Sequence, residues 1–183
     1  MGYDIALNKA WDELLNSGSS GAKSVKFLAD EYTLDFNHKK VLSSACNAPA
    51  KDFTAILILH YLKQAIKGLP ATTGKWLTFR ELSGIEGYYP AFRQRSIEPI
   101  VRKYGNNPQG IFSVLDTFPG KKAQRGDTSI VLFAFIAVPV LIALWGSDEE
   151  FGPDANVFFD SSITEIFCIE DIVVLAGIIA SQI

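Results

Sequence analysis

The most strongly patterned part of the chain is a run of sixteen apolar residues, Ile130–Trp145. The run is shorter than the roughly 20 residues that a membrane-spanning helix needs, it contains a proline, and it is rich in Val, Ile and Phe. Turn-forming residues flank it at 125–127 and 146–148. These features favour two buried strands, Thr128–Ala137 and Val140–Trp145, over a membrane-spanning segment.

The rest of the pattern predicts helices and strands that do not alternate regularly. Before residue 71 we expect an amphipathic helix Tyr3–Asn16, a Ser/Gly loop Gly18–Gly21, a meander of strands Ser24–Ala29, Tyr32–Phe36 and Lys40–Ser43, and a helix Phe53–Lys67 capped by Asp52. Beyond residue 71 we first expect a loop, Thr72–Pro90, with a capping box at Thr78–Glu81. Two helices follow, Tyr89–Tyr104, interrupted near Ser96, and a second from Pro108 to about Asp116. After the apolar run we expect a strand Asn156–Phe159, a turn Ser162–Phe167 and a last helix Ile169–Ser181. Because Ile172–Ala180 is rich in Ile and Val, helix and strand both stay open for that segment.

Strands that cluster in two groups predict an α+β fold rather than a doubly wound α/β fold. We expect one domain, 1–183, in which an antiparallel or mixed sheet packs against a central buried helix and surrounding helices. The central helix is Phe53–Lys67, whose stretch Ala55–Leu62 is apolar nearly all round. We expect it to pack against the strands of Thr128–Trp145.

Composition narrows the class of protein. With 48% apolar residues the chain has ample material for a core. Its two cysteines, Cys46 and Cys168, are too few for a disulfide framework or a cysteine-ligated cluster, and we expect both to be buried, reduced thiols. Met1–Leu15 lacks the basic flank and apolar stretch of a signal peptide, so we expect a cytoplasmic protein.

Charge is distributed unevenly along the chain. The segment Lys75–Arg125 has nine basic and four acidic residues, a net +5, whereas Gly126–Ile183 has nine acidic residues and no Lys or Arg, a net −9. The two segments either face each other within one fold or present patches of opposite sign to a partner or ligand. A pI of 5.4, without basic residues interleaved with aromatics, argues against nucleic-acid binding.

His60, on the expected central helix, is the first residue that could carry chemistry. It lies one turn from Ile56 and Leu57, which suits a core histidine with one hydrogen bond, and equally an axial ligand or a general base in a pocket. No second histidine follows at helical spacing, so the helix carries no zinc-type pair. The only other histidine, His38, falls in an expected turn.

The aromatic segment from Gly74 to Leu82 is the second candidate. Its aromatic residues could anchor a loop on the core while Glu81 completes the capping box. A functional interpretation uses Trp76 as a flat wall of a pocket and Arg80 as a clamp for an anion.

The third candidate is the segment Trp145–Phe151, followed by Asp154 and Asp160, which contains three consecutive carboxylates, Asp148, Glu149 and Glu150. Carboxylates packed this closely repel one another unless water or cations neutralise them. They form a solvated turn or internal salt bridges to Arg80, Arg93 or Arg95; alternatively they are ligands of Mg²⁺ or Ca²⁺, or one of them is an acid or base with a raised pKa. The order of residues does not match a calcium-binding EF loop.

Several blocks together resemble an uncharacterised family of domains about as long as this chain. They are Leu57–Leu62, Gly74–Leu82, Trp145–Phe151 with Phe158-Phe159-Asp160, the opening Tyr3-Asp4 through Leu14, and the closing Glu170-Asp171-Ile172. The family is known mostly from anaerobic bacteria and archaea, and the resemblance implies a self-contained cytoplasmic domain. Some similar proteins carry an added cysteine-rich iron–sulfur segment, which suggests redox or corrinoid metabolism. This chain has no such segment, so any cluster would belong to a partner, and the resemblance assigns no functional residue.

The three candidates would form one pocket if the Trp76–Glu81 segment and the Trp145–Asp160 segment meet at one rim. The candidate ligand-binding residues are then His60, Trp76, Arg80, Glu81, Trp145, Asp148, Glu149 and Glu150. One hypothesis is a non-catalytic module that binds a cofactor or a partner protein, and the cofactor itself is unknown. The alternative is a small-molecule enzyme that uses Asp148, Glu149 or Glu150 as acid, base or ligands of a divalent metal. A third hypothesis is a homodimer that buries surplus apolar surface.

Overall fold

The computed structural model describes residues 3–18 and 23–183, and the chain divides into two units, Met1–Pro70 and Ala71–Ile183. The first unit contains two helices and a three-stranded sheet, and the second contains a five-stranded sheet and the remaining helices. The predicted α+β class is therefore confirmed, and both sheets are antiparallel. Among the described residues, no helix combines the length and apolar character needed to cross a membrane.

The first unit follows the expected order closely. Helix α1 (Asp4–Asn16) packs on helix α2 (Asp52–Lys67), and the buried residues Trp11 and Leu14 face inward at helical spacing. Strands β1 (Lys23–Phe27), β2 (Asp30–Asp35) and β3 (Lys40–Ser43) form the predicted meander, in the order β1-β2-β3. Residues 19–21 of the predicted Ser/Gly loop lie outside the described residues.

Helix α2 is the expected apolar helix, and every residue from Thr54 to Leu59 is buried. Asp52 lies in the first turn of the helix rather than at the cap. In the first turn, the positive end of the helix dipole stabilises its carboxylate. The helix belongs to the first unit, whereas Thr128–Trp145 belongs to the second. Packing between them would join the two units, so it stays a prediction, as does the single domain.

The second unit is built on a sheet with strand order β4-β8-β7-β6-β5. Its strands are β4 (Trp76–Thr78), β5 (Gly120–Ala123), β6 (Thr128–Phe135), β7 (Val138–Trp145) and β8 (Asp154–Asp160). The sixteen-residue apolar run is thus a hairpin in the middle of the sheet, as predicted. The short edge strands β4 and β5 were not predicted.

The tip of this hairpin accommodates a proline in a central strand. Pro139 has no N–H to donate, and the register between β6 and β7 shifts next to it, between Phe133 and Phe135. On the other side of β6, the Phe133 N–H donates to the carbonyl of Pro119, next to β5, at 2.8 Å. Ala137 closes the turn with a positive φ of 60°. The register shift and this turn let Pro139 remain within strand β7.

An irregular helical segment precedes the sheet's central strands. It comprises helix α3 (Tyr89–Phe92), a π-helical turn Arg93–Ile97 and helix α4 (Glu98–Tyr104). The predicted interruption near Ser96 is therefore a π-turn. Because a proline ring clashes with the carbonyl four residues earlier, the helix widens just before Pro99. A 3₁₀ helix, Pro108–Asp116, follows where an ordinary helix was expected.

The C-terminal segment is helical, which decides the alternative left open for Ile172–Ala180. A short helix α5 (Ile163–Ile166) occupies the predicted turn, and helix α6 runs from Ile169 to Gln182. Glu170 and Asp171 lie in the first turn of α6, where negative charge is favourable. Helix α6 packs against the π-turn and α3, and Ile and Val are tolerated because most of its residues are buried.

The expectation that both cysteines are buried was wrong. Cys46 and Cys168 are both exposed, with free thiols. Cys168 occupies the position before α6, and its thiol donates a hydrogen bond to the Asp171 carboxylate at 3.2 Å. Partial desolvation and the Asp171 charge raise the pKa of the Cys168 thiol to about 12, so it is protonated at neutral pH. Cys46 lies in the turn after β3 and Cys168 between two helices, and an apolar composition does not reveal that such connections are exposed.

Candidate functional site

The loop that joins β7 to β8 is held by the side chain of Asp148. One of its carboxylate oxygens accepts hydrogen bonds from the N–H groups of Glu150, at 2.9 Å, and Phe151, at 2.7 Å. The Asp148 N–H in turn donates to the Phe151 carbonyl at 2.9 Å. Asp148 thus turns the chain sharply after β7 and directs the Phe151 side chain outward, where it is 69% exposed.

The base of the same loop is held by Asp127, from the turn between β5 and β6. The Asp127 N–H donates to the Leu144 carbonyl at 3.0 Å, and its carboxylate accepts the Gly146 N–H at 2.9 Å. These bonds fix the turn at 125–127 beside the end of β7. The turn at 125–127 and the loop after β7, which the sequence indicated only as flanks of the apolar run, are therefore hydrogen-bonded to each other.

A groove of about 780 Å³ lies between these two segments and the helical segment before the sheet. Its size is in the range of small-ligand pockets. The side chains that characterise its lining are Arg93, Asp127, Trp145, Asp148, Phe151 and Asp154. The groove thus combines three carboxylates, one guanidinium and two aromatic rings.

Arg93, which supplies the one guanidinium among these six side chains, forms an ion pair with Glu98 outside the groove. The Nε of Arg93 lies 3.7 Å from Glu98 Oε1, and both side chains are about half exposed, at 47% and 48%. At this distance and exposure the ion pair is weak. The groove lining therefore has a net negative charge.

Trp145 and Trp76 both pack on one apolar strip of the sheet. The strip consists of Val131, Leu141, Ala143 and Phe158, all buried, with both tryptophans and Ala123 packed against it. Trp76 pairs with Asp160 and Trp145 with Asp154, so the two rings lie at opposite ends of β8. Six residues of strand separate these positions along the sheet, roughly 20 Å. Only Trp145 reaches the groove lining.

Arg80 and Glu81 have local partners. The Arg80 guanidinium lies 4.0 Å from the centre of the Tyr89 ring, a cation–π contact. Glu81 completes the predicted capping box, since its carboxylate accepts the Thr78 N–H at 2.7 Å and the Thr78 hydroxyl at 2.8 Å. These bonds to Thr78 lower the pKa of Glu81 and keep it ionised. The predicted capping box is therefore confirmed.

The three consecutive carboxylates are exposed, as a solvated turn requires. Within the described part of the chain, no ion pair joins Asp148, Glu149 or Glu150 to Arg80, Arg93 or Arg95. Glu149 and Glu150 lie beside the groove rather than in its lining. Over the same residues, no group of three or more His, Cys, Asp or Glu side chains is arranged to hold a metal ion.

His60 belongs to α2 in the first unit, whereas the groove belongs entirely to the second. Of the eight candidate residues, the groove lining therefore contains Trp145 and Asp148. Asp127, Phe151 and Asp154 were not among the predicted site residues. Asp127 was interpreted only as part of the turn at 125–127, whereas Phe151 and Asp154 belong to the acidic segment from which only Trp145 and the three consecutive carboxylates were selected.

A buried carboxylate, Asp160, anchors the segment before β4. It is 2% exposed and accepts hydrogen bonds from the Thr73 N–H and hydroxyl, both at 3.0 Å, from the Gly74 N–H at 2.7 Å, and from the Ser162 N–H and hydroxyl at 3.0 and 2.7 Å. Burial raises the pKa of Asp160, but the hydrogen bonds from Thr73, Ser162 and Gly74 outweigh burial and hold it at about 2. Asp160 is thus an ionised carboxylate whose hydrogen bonds serve to hold the structure together.

The second unit is an antiparallel α+β structure with an acidic and aromatic groove at one end of its central hairpin. The chain belongs to the family described as a domain of unknown function (DUF3786), whose model matches residues 14–182. This match confirms the resemblance to an uncharacterised family of about this length. No curated protein and no solved structure matches the chain.

The turn beside Trp145 depends on a glycine, which gives a first testable prediction. Gly126 has a φ of +64°, and a Cβ there would lie 2.8 Å from the Leu144 carbonyl and 3.0 Å from Trp145 Cε2. We expect Gly126→Ala to lower the free energy of unfolding by about 1–3 kcal/mol, because the left-handed conformation and the contact are both unfavourable. Urea unfolding measures the loss, and near-UV circular dichroism reports the indole environment.

The matched control is Gly152→Ala in the same groove. A Cβ on Gly152 meets nothing within 4 Å, so its free energy of unfolding should stay within about 0.5 kcal/mol of the parent. Equal stabilities of the two variants would show that the turn at 125–127 relaxes without cost.

Proposed function

We propose that the chain is a non-catalytic accessory module that acts in the cytoplasm and binds a partner protein or a cofactor in the groove beside Trp145. The observation that supports this function is the groove itself, about 780 Å³, with a half-buried indole and an exposed phenyl ring at its rim. Aromatic rings beside a small number of charged groups are typical of ligand sites and of interface hot spots. The family resemblance extends the proposal to corrinoid or iron–sulfur metabolism in an anaerobe, with any cluster held by the partner.

The ionisation of Asp148 favours binding over acid/base chemistry. Hydrogen bonds from the Phe151 and Glu150 N–H groups lower the pKa of Asp148. A general acid at neutral pH needs the opposite shift. Because Asp148 also shapes the loop, its carboxylate has a structural role that accounts for its place in the groove.

A photo-crosslinking experiment tests the proposal. Phe151, 69% exposed at the groove rim, is replaced by p-benzoyl-phenylalanine in cells, and adducts are identified by mass spectrometry. The matched control places the same group at Ile5, which is 80% exposed on α1. We expect an adduct from position 151 and none from position 5.

A groove-filling variant makes this test specific. Gly152 lines the groove and has open space at its Cβ position, so Gly152→Phe adds bulk at a site that tolerates it. We expect this variant to lose the adduct from position 151 by about tenfold or more, because a filled groove excludes its ligand. An adduct unaffected by Gly152→Phe, or no adduct together with no cofactor in protein purified without oxygen, contradicts the proposal.

A further inference from the structure

We infer that the groove recognises a positively charged segment of a partner protein, through the side chain of a lysine or an arginine. This inference rests on the proposed binding function and specifies the chemistry of the partner. Three observations carry it: the charge of the groove lining, the placement of Trp145, and the acidic surface that continues beyond the groove.

The charge of the lining favours a cation. Asp127, Asp148 and Asp154 contribute three carboxylates, against one guanidinium from Arg93 that Glu98 partly neutralises. Asp127 and Asp148 each bond to the loop backbone through one carboxylate oxygen, which holds both groups in place. Carboxylates fixed in this way bind a cation with little further ordering, whereas an anionic ligand would meet net repulsion.

The placement of Trp145 favours a cation with a hydrocarbon stem. The indole is half-buried against the apolar strip, and the turn at Gly126 packs on it from one side. The ring is therefore held in place where it lines the groove. Indole is the best aromatic partner for a cation, and the methylene groups of Lys and Arg pack well on flat apolar surfaces.

The surface around the groove favours a protein segment over a small free cation. Glu149 and Glu150 extend the negative charge beyond the lining, and Phe151 presents a ring that is 69% exposed. A small cation held in the groove would leave these groups in water. A chain with several basic residues and an apolar residue would contact all of them.

Titration with matched peptides tests the inference. The probe is the peptide acetyl-Ala-Arg-Ala-Arg-Ala-Arg amide, and its neutral counterpart has Gln in place of Arg. Binding is followed by the indole N–H signals in ¹⁵N NMR, because Trp145 lines the groove whereas Trp11 is buried in the first unit. We expect the basic peptide to shift the Trp145 signal and to bind about tenfold or more tightly than the neutral peptide, with the difference decreasing as salt is added.

Charge variants of the protein sharpen the test. Asp154→Asn, which removes an exposed carboxylate from the lining, should weaken binding about two- to fivefold, and Arg93→Gln should strengthen it by a similar factor. Glu149→Gln removes the same charge from the same surface but outside the lining, and should weaken binding less than Asp154→Asn does, by about twofold at most. Circular dichroism of each variant checks that its fold is retained.

Three outcomes overturn the inference. Equal affinity for the neutral peptide would show that shape and apolar contact dominate. Choline binding as tightly as the basic peptide would assign the groove to a small organic cation. No shift of Trp145 with any probe, alongside a groove-dependent crosslink from position 151, would leave the binding function standing and remove its cationic specificity.

Discussion

Asp160→Asn is expected to lower the free energy of unfolding by about 2–4 kcal/mol, measured by urea unfolding at pH 7. The Asp160 carboxylate accepts bonds from Thr73, Gly74 and Ser162, and it is 2% exposed. An amide keeps one oxygen but presents an NH₂ group to the backbone N–H groups of Thr73, Gly74 and Ser162, which can only donate. At least one buried N–H or O–H group then loses its partner.

The control for this variant lies at the other end of the same strand. Asp154→Asn makes the same chemical change at an exposed position of β8, and its effect on the free energy of unfolding should stay within about 0.5 kcal/mol. If Asp160→Asn is equally mild, the segment 73–75 does not depend on this carboxylate.

The pH dependence of stability provides an independent check on Asp160. Its pKa is about 2 in the folded protein, below the ordinary value of 3.8, so the folded state binds this proton less readily than the unfolded state. The difference corresponds to about 2 kcal/mol of stability that is fully present above pH 3.8 and is lost as the pH falls from 3.8 to about 2. Asp160→Asn should remove this part of the acid sensitivity.

Phe92→Ala is expected to cost about 3–5 kcal/mol of unfolding free energy, a large part of the total for a protein of this size. Phe92 is fully buried; its ring stacks on Phe79, with centres 4.1 Å apart, and meets the edge of Phe159 at 6.2 Å. Removing the ring leaves a cavity between α3 and β8 and deletes both contacts. Urea unfolding measures the loss.

The comparison for Phe92→Ala is Phe151→Ala. The same atoms are removed from a side chain that is 69% exposed, so the stability should change by less than about 0.5 kcal/mol. Binding in the groove, in contrast, should weaken in this variant. A similar loss of stability in both variants would contradict the packing described for Phe92.

Much of the fold follows from local patterns in the sequence. The helices α1 and α2, the meander and the central hairpin lie where periodicity, caps and turn residues placed them. The sequence predicted the positions of the 3₁₀ helix Pro108–Asp116 and of the π-turn Arg93–Ile97, but not their helix types. Proline and glycine signals mark where a helix changes and not its hydrogen-bond pattern. The edge strands β4 and β5 were missed, since both are short and lack alternation.

The candidate site was harder to predict from the sequence than the fold. Three of the candidates, Trp76, Arg80 and Glu81, have partners on their own or neighbouring elements: the apolar strip, Tyr89 and Thr78. Asp127 enters the groove because β5 and β6 form a hairpin whose turn packs beside the end of β7. That neighbourhood depends on strand pairing between distant residues, which no local window of sequence contains.

The sequence by itself determined the α+β class, the buried hairpin at 130–145 and the acidic loop that follows it. These are short-range consequences of hydrophobic periodicity, proline and turn residues. Only the tertiary structure decided that Trp76 and Trp145 lie at opposite ends of β8 and that Arg93, Asp127 and Trp145 line one groove. Strand register and helix packing set these distances, and both depend on contacts between residues far apart in the chain.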